Sequence, residues 1–155
     1  MSEYMDSRKN SELVEKLQVA LADTFVLYFK THSFHWNVEG PHFKALHDLF
    51  MEQYTELWNI TDEIAERIRT LGAYAPNSYK ELLGKATLSE ISQTPDAMSM
   101  AKQLAEDNIA ITDTFKAVLK EAEDLGDEST TDLMIGRITV HEKTAWMLRA
   151  ILKEA

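Results

Sequence analysis

Four side chains in the first half of the sequence have the types and spacing to hold a transition-metal ion: His35, His47, Asp62 and Glu66. Asp62 and Glu66 are four residues apart, so on a helix they stand one turn apart on one side, where two carboxylates can meet one cation. His47 falls on the same predicted helix, beside its apolar stripe, and His35 ends the stripe of the preceding one. Each residue also has a plainer reading. Acids one turn apart describe a solvated helix face, and a histidine beside an apolar stripe is more often a hydrogen-bonded core residue.

Spacing constrains whether the four can meet. His47 precedes Asp62 by 15 residues and Glu66 by 19, roughly 22 and 28 Å on a continuous helix. One ion cannot bridge that gap, because its ligands lie about 2.0–2.2 Å away. A second copy of the helix, antiparallel across a two-fold axis, removes the difficulty, since residues equally far from the axis then face each other. The pairs 47/62 and 47/66 have midpoints 54.5 and 56.5, so the axis crosses near Thr55 to Leu57, close to Trp58. Two equivalent centres result, each with histidine from one chain and carboxylates from the other. At 100° per residue, His47, Met51, Trp58, Asp62 and Ala65 share one flank of the helix, with Glu66 just beyond its edge. Such a semi-apolar flank predicts packing beyond the subunit's own bundle; a wide core face is the alternative. An intrachain di-iron centre of the usual kind needs two Glu-x-x-His motifs. Here the only one is Glu39 to His42, interrupted by Gly40-Pro41.

The elements that position these residues are helices. Val14, Leu17, Leu21, Phe25 and Tyr28 recur in steps of three and four from about Ser11 to His35, with His32 and His35 continuing the stripe, as an amphipathic helix requires. After Gly40, Pro41 is suited to the first turn of a second helix, whose face runs Phe43, Leu46, Phe50, Tyr54, Leu57, Ile64 and Ile68 to a stop at Leu71-Gly72. Residues 73–94 are irregular, apart from a short helix over Tyr79 to Lys85 ended by Gly84. Thr94-Pro95 reads as an N-cap and first helical residue. The third long helix carries Ala101, Leu104, Ile111, Phe115, Val118 and Ala122, and ends at Gly126. The fourth opens on Asp127-Glu128-Ser129 and carries Met134, Ile138, His141, Ala145, Leu148 and Leu152. The expectation is an all-α four-helix bundle with a short extra helix in the middle connection. It forms a single domain over residues 1–155, with a short flexible N-terminal tail of about residues 1–10.

Bulk composition narrows the function. The 155 residues include no cysteine, which removes disulfides, thiol catalysis and cysteine zinc sites. No apolar run reaches the length of a membrane span, and the first residues lack an apolar segment of signal-peptide type. The expected compartment is therefore the cytoplasm, with no membrane partner. A formal net charge of −10 disfavours nucleic acid and favours cations.

HWNVEGPHFKALH (His35 to His47), followed by DEIAERI (Asp62 to Ile68), closely resembles the Dps family, the mini-ferritins also called DNA-binding proteins from starved cells. The likeness runs over nearly the whole chain from about Ser11 and includes HEKTAWMLR (His141 to Arg149). The resemblance implies a ferritin-like subunit in a hollow dodecamer, a homo-oligomer that oxidises iron(II), preferably with hydrogen peroxide, and stores iron(III) inside. It also implies ferroxidase centres at two-fold interfaces, with His35 and His47 from one subunit and Asp62 and Glu66 from its partner. Trp36 stands where the family often has a tryptophan near the centre. The position one turn after His47, commonly Asp or Glu in the family, is Met51 here. A thioether is a poor ligand for hard iron, so one strong iron position and a weaker second one are expected. Iron entry in the family is through acidic pores, for which Asp124, Asp127 and Asp132 are the candidates; helix-end capping is their other reading. The family name also carries an alternative: a nucleoid-associated, DNA-compacting protein with residual iron chemistry. DNA-binding members often use lysine-rich tails. Residues 1–18 here hold Arg8, Lys9 and Lys16 against Glu3, Asp6, Glu12 and Glu15, a net of 3 − 4 = −1, and ILKEA at the C-terminus has one lysine, so DNA binding is not expected.

Overall fold

The computed structural model describes residues 9–153. Its elements are α1 (Ser11–Asn37), α2 (Phe43–Thr70), α3 (Tyr79–Lys85), α4 (Ala97–Leu125) and α5 (Glu128–Leu152), with no strand among the described residues. α1 packs on α2, α3 and α4, and α4 packs on α5. The short α1–α2 and α4–α5 turns make two helical hairpins, and the long connection from α2 to α4, which holds α3, crosses between them. This is the bundle with one crossover found in ferritin-like folds.

The stripes read from the sequence form the core. Leu17, Leu21, Leu46, Phe50, Ile64, Leu104, Phe115 and Met134 are among its buried members. The apolar side chains release water from one face of each long helix, and that shared burial holds the hairpins together. The long connection is fixed by a buried carboxyl group. Asp23 is fully buried on α1 and accepts hydrogen bonds from Thr87 N (2.6 Å), Thr87 Oγ1 (2.6 Å), Leu88 N (3.0 Å) and Thr114 Oγ1 (2.8 Å).

Helix ends differ from expectation in small, explicable ways. Pro41 lies in the turn before α2, because Phe43 N donates to Gly40 O (3.0 Å) and Gly40 takes φ 107°, a conformation open to glycine. Asp96, not Thr94, caps α4, since its Oδ1 accepts from Ser99 N at 2.9 Å. α3 passes through Gly84 to Lys85. α4 ends as expected at Gly126, in the left-handed region. Of the expected N-terminal tail, residues 1–8 lie outside the described residues. Asn10 is buried, and its carbonyl accepts from Val14 N at 2.8 Å.

Candidate metal centre

The turn over residues 38–42 folds α2 back on α1 and sets His35 beside His47. Their rings stack with centroids 3.8 Å apart and planes 18° from parallel. Each ring uses Nδ1 on the other residue's backbone: His35 Nδ1 to His47 O at 2.7 Å, and His47 Nδ1 to His35 O at 2.8 Å. A carbonyl oxygen can only accept, so the neutral form of each ring carries its proton on Nδ1 and keeps the lone pair on Nε2. Carbonyl-anchored imidazole with a free second nitrogen is the arrangement that prepares histidine as a metal ligand. His35 is 8% exposed and His47 half-buried, so the lock orders two neighbouring nitrogen donors before any ion arrives.

His141 shows what a satisfied core histidine looks like in the same bundle. Asn108 Nδ2 donates to Leu104 O (2.7 Å), which turns Asn108 Oδ1 toward His141 Nδ1 (2.7 Å). His141 Nε2 accepts from Arg137 Nη2 at 2.9 Å. Both nitrogens are engaged, and burial, then the Arg137 charge, pushes the imidazole well below its ordinary pKa.

The carboxylates lie elsewhere. α2 is unbroken from Phe43 to Thr70, so Asp62 and Glu66 remain roughly 22 and 28 Å along it from His47. Both are exposed, and between them and His47 stand Met51 and Trp58, 43% and 54% exposed. Among the described residues, no group of three or more His, Asp or Glu side chains comes together as a metal site. Within one chain, the two histidines and the two carboxylates thus stand apart.

An aromatic cluster surrounds the histidine half. His32 stacks on Tyr54 (3.7 Å, 7°), lies under Trp36 (4.2 Å) and meets His35 edge-on (6.0 Å). Its Nδ1 is 2.8 Å from the Tyr28 hydroxyl, and Tyr28 packs against Trp58 at 5.2 Å. Burial raises the Tyr28 phenol above its usual pKa, with Tyr54 and Tyr79 adding to the effect, and burial followed by His35 lowers His32. Sequence reading placed Tyr28, His32 and Tyr54 only on apolar stripes. The available signal was the step of four from Tyr28 to His32 and of three from His32 to His35.

The three acidic pore candidates separate. Asp124 is exposed and pairs with Lys120 on its own helix at 3.5 Å, and Asp132 is exposed. Asp127 is buried as the N-cap of α5: Arg67 Nη2 donates to it at 2.9 and 3.1 Å, Thr130 N at 3.0 Å and Thr130 Oγ1 at 2.5 Å. Burial alone would raise its pKa, but the bonds from Thr130 and Arg67 outweigh that and hold it below the usual carboxylate range. In this subunit the Asp127 carboxylate closes the α4–α5 turn onto the end of α2.

Residues 14–155 match the ferritin family, described as a ferritin-like domain. The chain is 39% identical over 145 residues to "DNA protection during starvation protein 2" of Bacillus anthracis, covering 94% of this chain and 99% of that one. A Dps crystal structure from Vibrio cholerae O1, titled as a member of a broad superfamily of ferritin-like diiron-carboxylate proteins, superposes with TM-score 0.91. It is 36% identical and covers 96% of this chain and 94% of its own. Dps from Staphylococcus aureus superposes with TM-score 0.89 at 30% identity, covering 97% and 99%.

Proposed function

The chain belongs to the Dps family of ferritin-like proteins, and on that premise we propose that it is an iron-storing, stress-protective ferroxidase whose metal centre needs two subunits. The observation that carries this reading is the half-site: two histidines locked with free Nε2 atoms, and two exposed carboxylates on the same straight helix, too far away to join them. An antiparallel α2 from a second copy, crossing near Thr55 to Leu57, brings His35 and His47 to the partner's carboxylate half. Trp58, Phe29, Leu83 and Ile91 are exposed around an apolar cleft of about 730 Å³ between α1, α3 and residues 90–94, the surface such a pairing would cover.

Iron(II) is the substrate. Imidazole nitrogen and carboxylate oxygen favour it and then the harder iron(III) product. Two iron(II) ions each give up one electron, and hydrogen peroxide takes both as its O–O bond breaks. Met51 leaves the second position short of a hard ligand, so one iron is held more firmly. The oxidised iron is kept as mineral inside a closed dodecamer, and the charge of −10 per subunit concentrates cations around it. The same charge argues against DNA, although relatives are named for DNA protection.

Subunit mixing tests the shared centre. One variant carries His35→Ala with His47→Ala, the other Asp62→Ala with Glu66→Ala. Each alone should lose rapid iron(II) oxidation. After unfolding and joint reassembly, a mixed dimer has one centre without ligands and one complete centre. With random pairing half of the dimers are mixed, so activity should return to about a quarter of wild type. A refolded mixture with no activity would refute the two-chain centre.

A further inference from the structure

Met51 stands one turn after His47 on the unbroken α2 helix, about 6 Å along its axis, so the two side chains leave one flank as neighbours. It is 43% exposed, whereas Met98 and Met147 are part-buried and Met100 and Met134 are buried. Among the described residues it is thus the methionine most open to an oxidant. In the antiparallel pairing proposed above, facing positions share a midpoint between 54.5 and 56.5, so position 51 faces positions 58 to 62 of the second copy. Met51 thus lies between His47 of its own chain and the partner's Asp62. Its sulfur is soft and holds hard iron poorly. The same sulfur reacts with hydrogen peroxide. Its lone pair attacks one peroxide oxygen, an S–O bond forms as the O–O bond breaks, and the proton on the transferred oxygen leaves with the departing hydroxide as water. Sulfur loses two electrons and peroxide gains them. The product, methionine sulfoxide, is polar where the thioether was apolar, and its oxygen is a hard donor of the kind iron prefers.

We propose that Met51 is a peroxide-modified residue whose sulfoxide oxygen completes the second iron position. The proposal rests on the ferroxidase reading above, which brings hydrogen peroxide to this flank. A subunit that has not met peroxide holds one iron firmly at each centre, because the thioether adds nothing to His47 at the second position. Once Met51 is oxidised, its unbranched and flexible side chain turns the new oxygen toward that position without any movement of α2. Met51 is not among the core side chains, so the added oxygen disturbs no packing inside the bundle. Two iron(II) ions then sit together, and between them they hold the two electrons that the next peroxide takes. Contact with the oxidant thereby raises the amount of iron held ready for it. Reductases return methionine sulfoxide to the thioether, which makes the change reversible.

The test uses the full-length protein as wild type, Met51→Leu and Met51→Gln. Each is loaded with iron(II), treated with hydrogen peroxide while oxidation is followed by absorbance, and freed of iron by reductive chelation. Peptide mass mapping then locates added oxygen, and anaerobic iron(II) titration counts firmly held ions before and after the treatment. Wild type should gain one oxygen atom at Met51 before Met98 or Met147 gains any, and its count should rise from about one to about two per centre. Met51→Leu has no sulfur at this position and should stay at about one. Met51→Gln supplies a hard amide oxygen from the start and should hold about two with or without peroxide. Several results overturn the proposal: an unmodified Met51 in wild type that oxidises iron(II), oxygen appearing first at Met98 or Met147, or a count that the sulfoxide leaves unchanged. An equal rise in Met51→Leu, or a Met51→Gln count that only matches Met51→Leu, overturns it as well. Wild type that does not oxidise iron(II) overturns the ferroxidase reading, and this inference with it.

Discussion

His141 should make the subunit acid-sensitive in a way that one substitution removes. Its ring is 1% exposed, and its single proton, on Nδ1, is held by Asn108 while Nε2 accepts from Arg137. A second proton would have to enter between Nε2 and a guanidinium, so the folded pKa lies well below the ordinary 6.5. The unfolded chain binds that proton from about pH 6.5 downward and the folded chain does not. The stability contribution is therefore complete above pH 6.5 and is lost as pH falls below it toward the folded value. For one such group the loss between pH 7.5 and 5.5 is about 1.4 kcal/mol per subunit. In His141→Gln the amide can accept from Arg137 and donate to Asn108 without titrating. Urea unfolding at fixed subunit concentration, followed by far-UV circular dichroism at the two pH values, measures the difference. Wild type should lose about 1.4 kcal/mol more than the variant over that interval. Equal losses in the two proteins would show that His141 takes up its proton in the folded subunit and that the hydrogen-bond assignment is wrong.

Met51→Glu places a hard ligand one turn after His47, and anaerobic iron(II) titration should rise from about one firmly held ion per centre to about two; an unchanged endpoint removes Met51 as the reason for a weak position. Asp127→Ala uncaps α5 and leaves Arg67 only its bond to Thr130, so it should cost about 3–5 kcal/mol in denaturant unfolding, whereas exposed Asp124→Ala should stay within about 0.5 kcal/mol. Equal effects would contradict the buried-cap assignment. Plasmid should show no retardation at neutral pH and physiological salt, and retardation that fades steeply with added salt would reveal a basic surface.

The bundle was legible because its information is local. Steps of three and four in apolar residues name the buried faces of α1, α2, α4 and α5, and Gly126 marks the end of α4 by its own backbone freedom. The misplacements at Pro41 and Thr94 are also local: the competing signals, Gly40 and Asp96, sit within two residues. What sequence could not give were bonds made across the fold. Asp127 reads as a pore acid or a helix-end cap, and its bond to Arg67, sixty residues earlier, has no signal in the sequence. Asp23 carries no motif, yet it fixes the connection 64 residues downstream. The exchange between His35 and His47 depends on two helix ends meeting, and no spacing rule announces which ring nitrogen will be left free.

The nitrogens inside the bundle are placed differently from those of His35 and His47. Inside the bundle, one hydrogen-bonded layer links α2, α4 and α5. That layer holds Arg137, 2% exposed, gripping Glu56 through both Nη atoms (2.6 and 2.8 Å), with Nη2 also bonded to His141. A buried guanidinium repels a metal cation, engages the nearest carboxylate and occupies the histidine nitrogen that would otherwise ligate. His141 and Asn108 are buried and Glu56 is part-exposed, and each is already bonded to a protein partner. At the α1–α2 end, backbone carbonyls rather than side chains anchor the rings of His35 and His47 through Nδ1. The absence of an uninterrupted Glu-x-x-His and the presence of Arg137 therefore argue independently against an interior centre. Replacing Arg137 would not by itself create an interior centre, because the one carboxylate bonded to it, Glu56, is part-exposed and His141 would still be tied to Asn108.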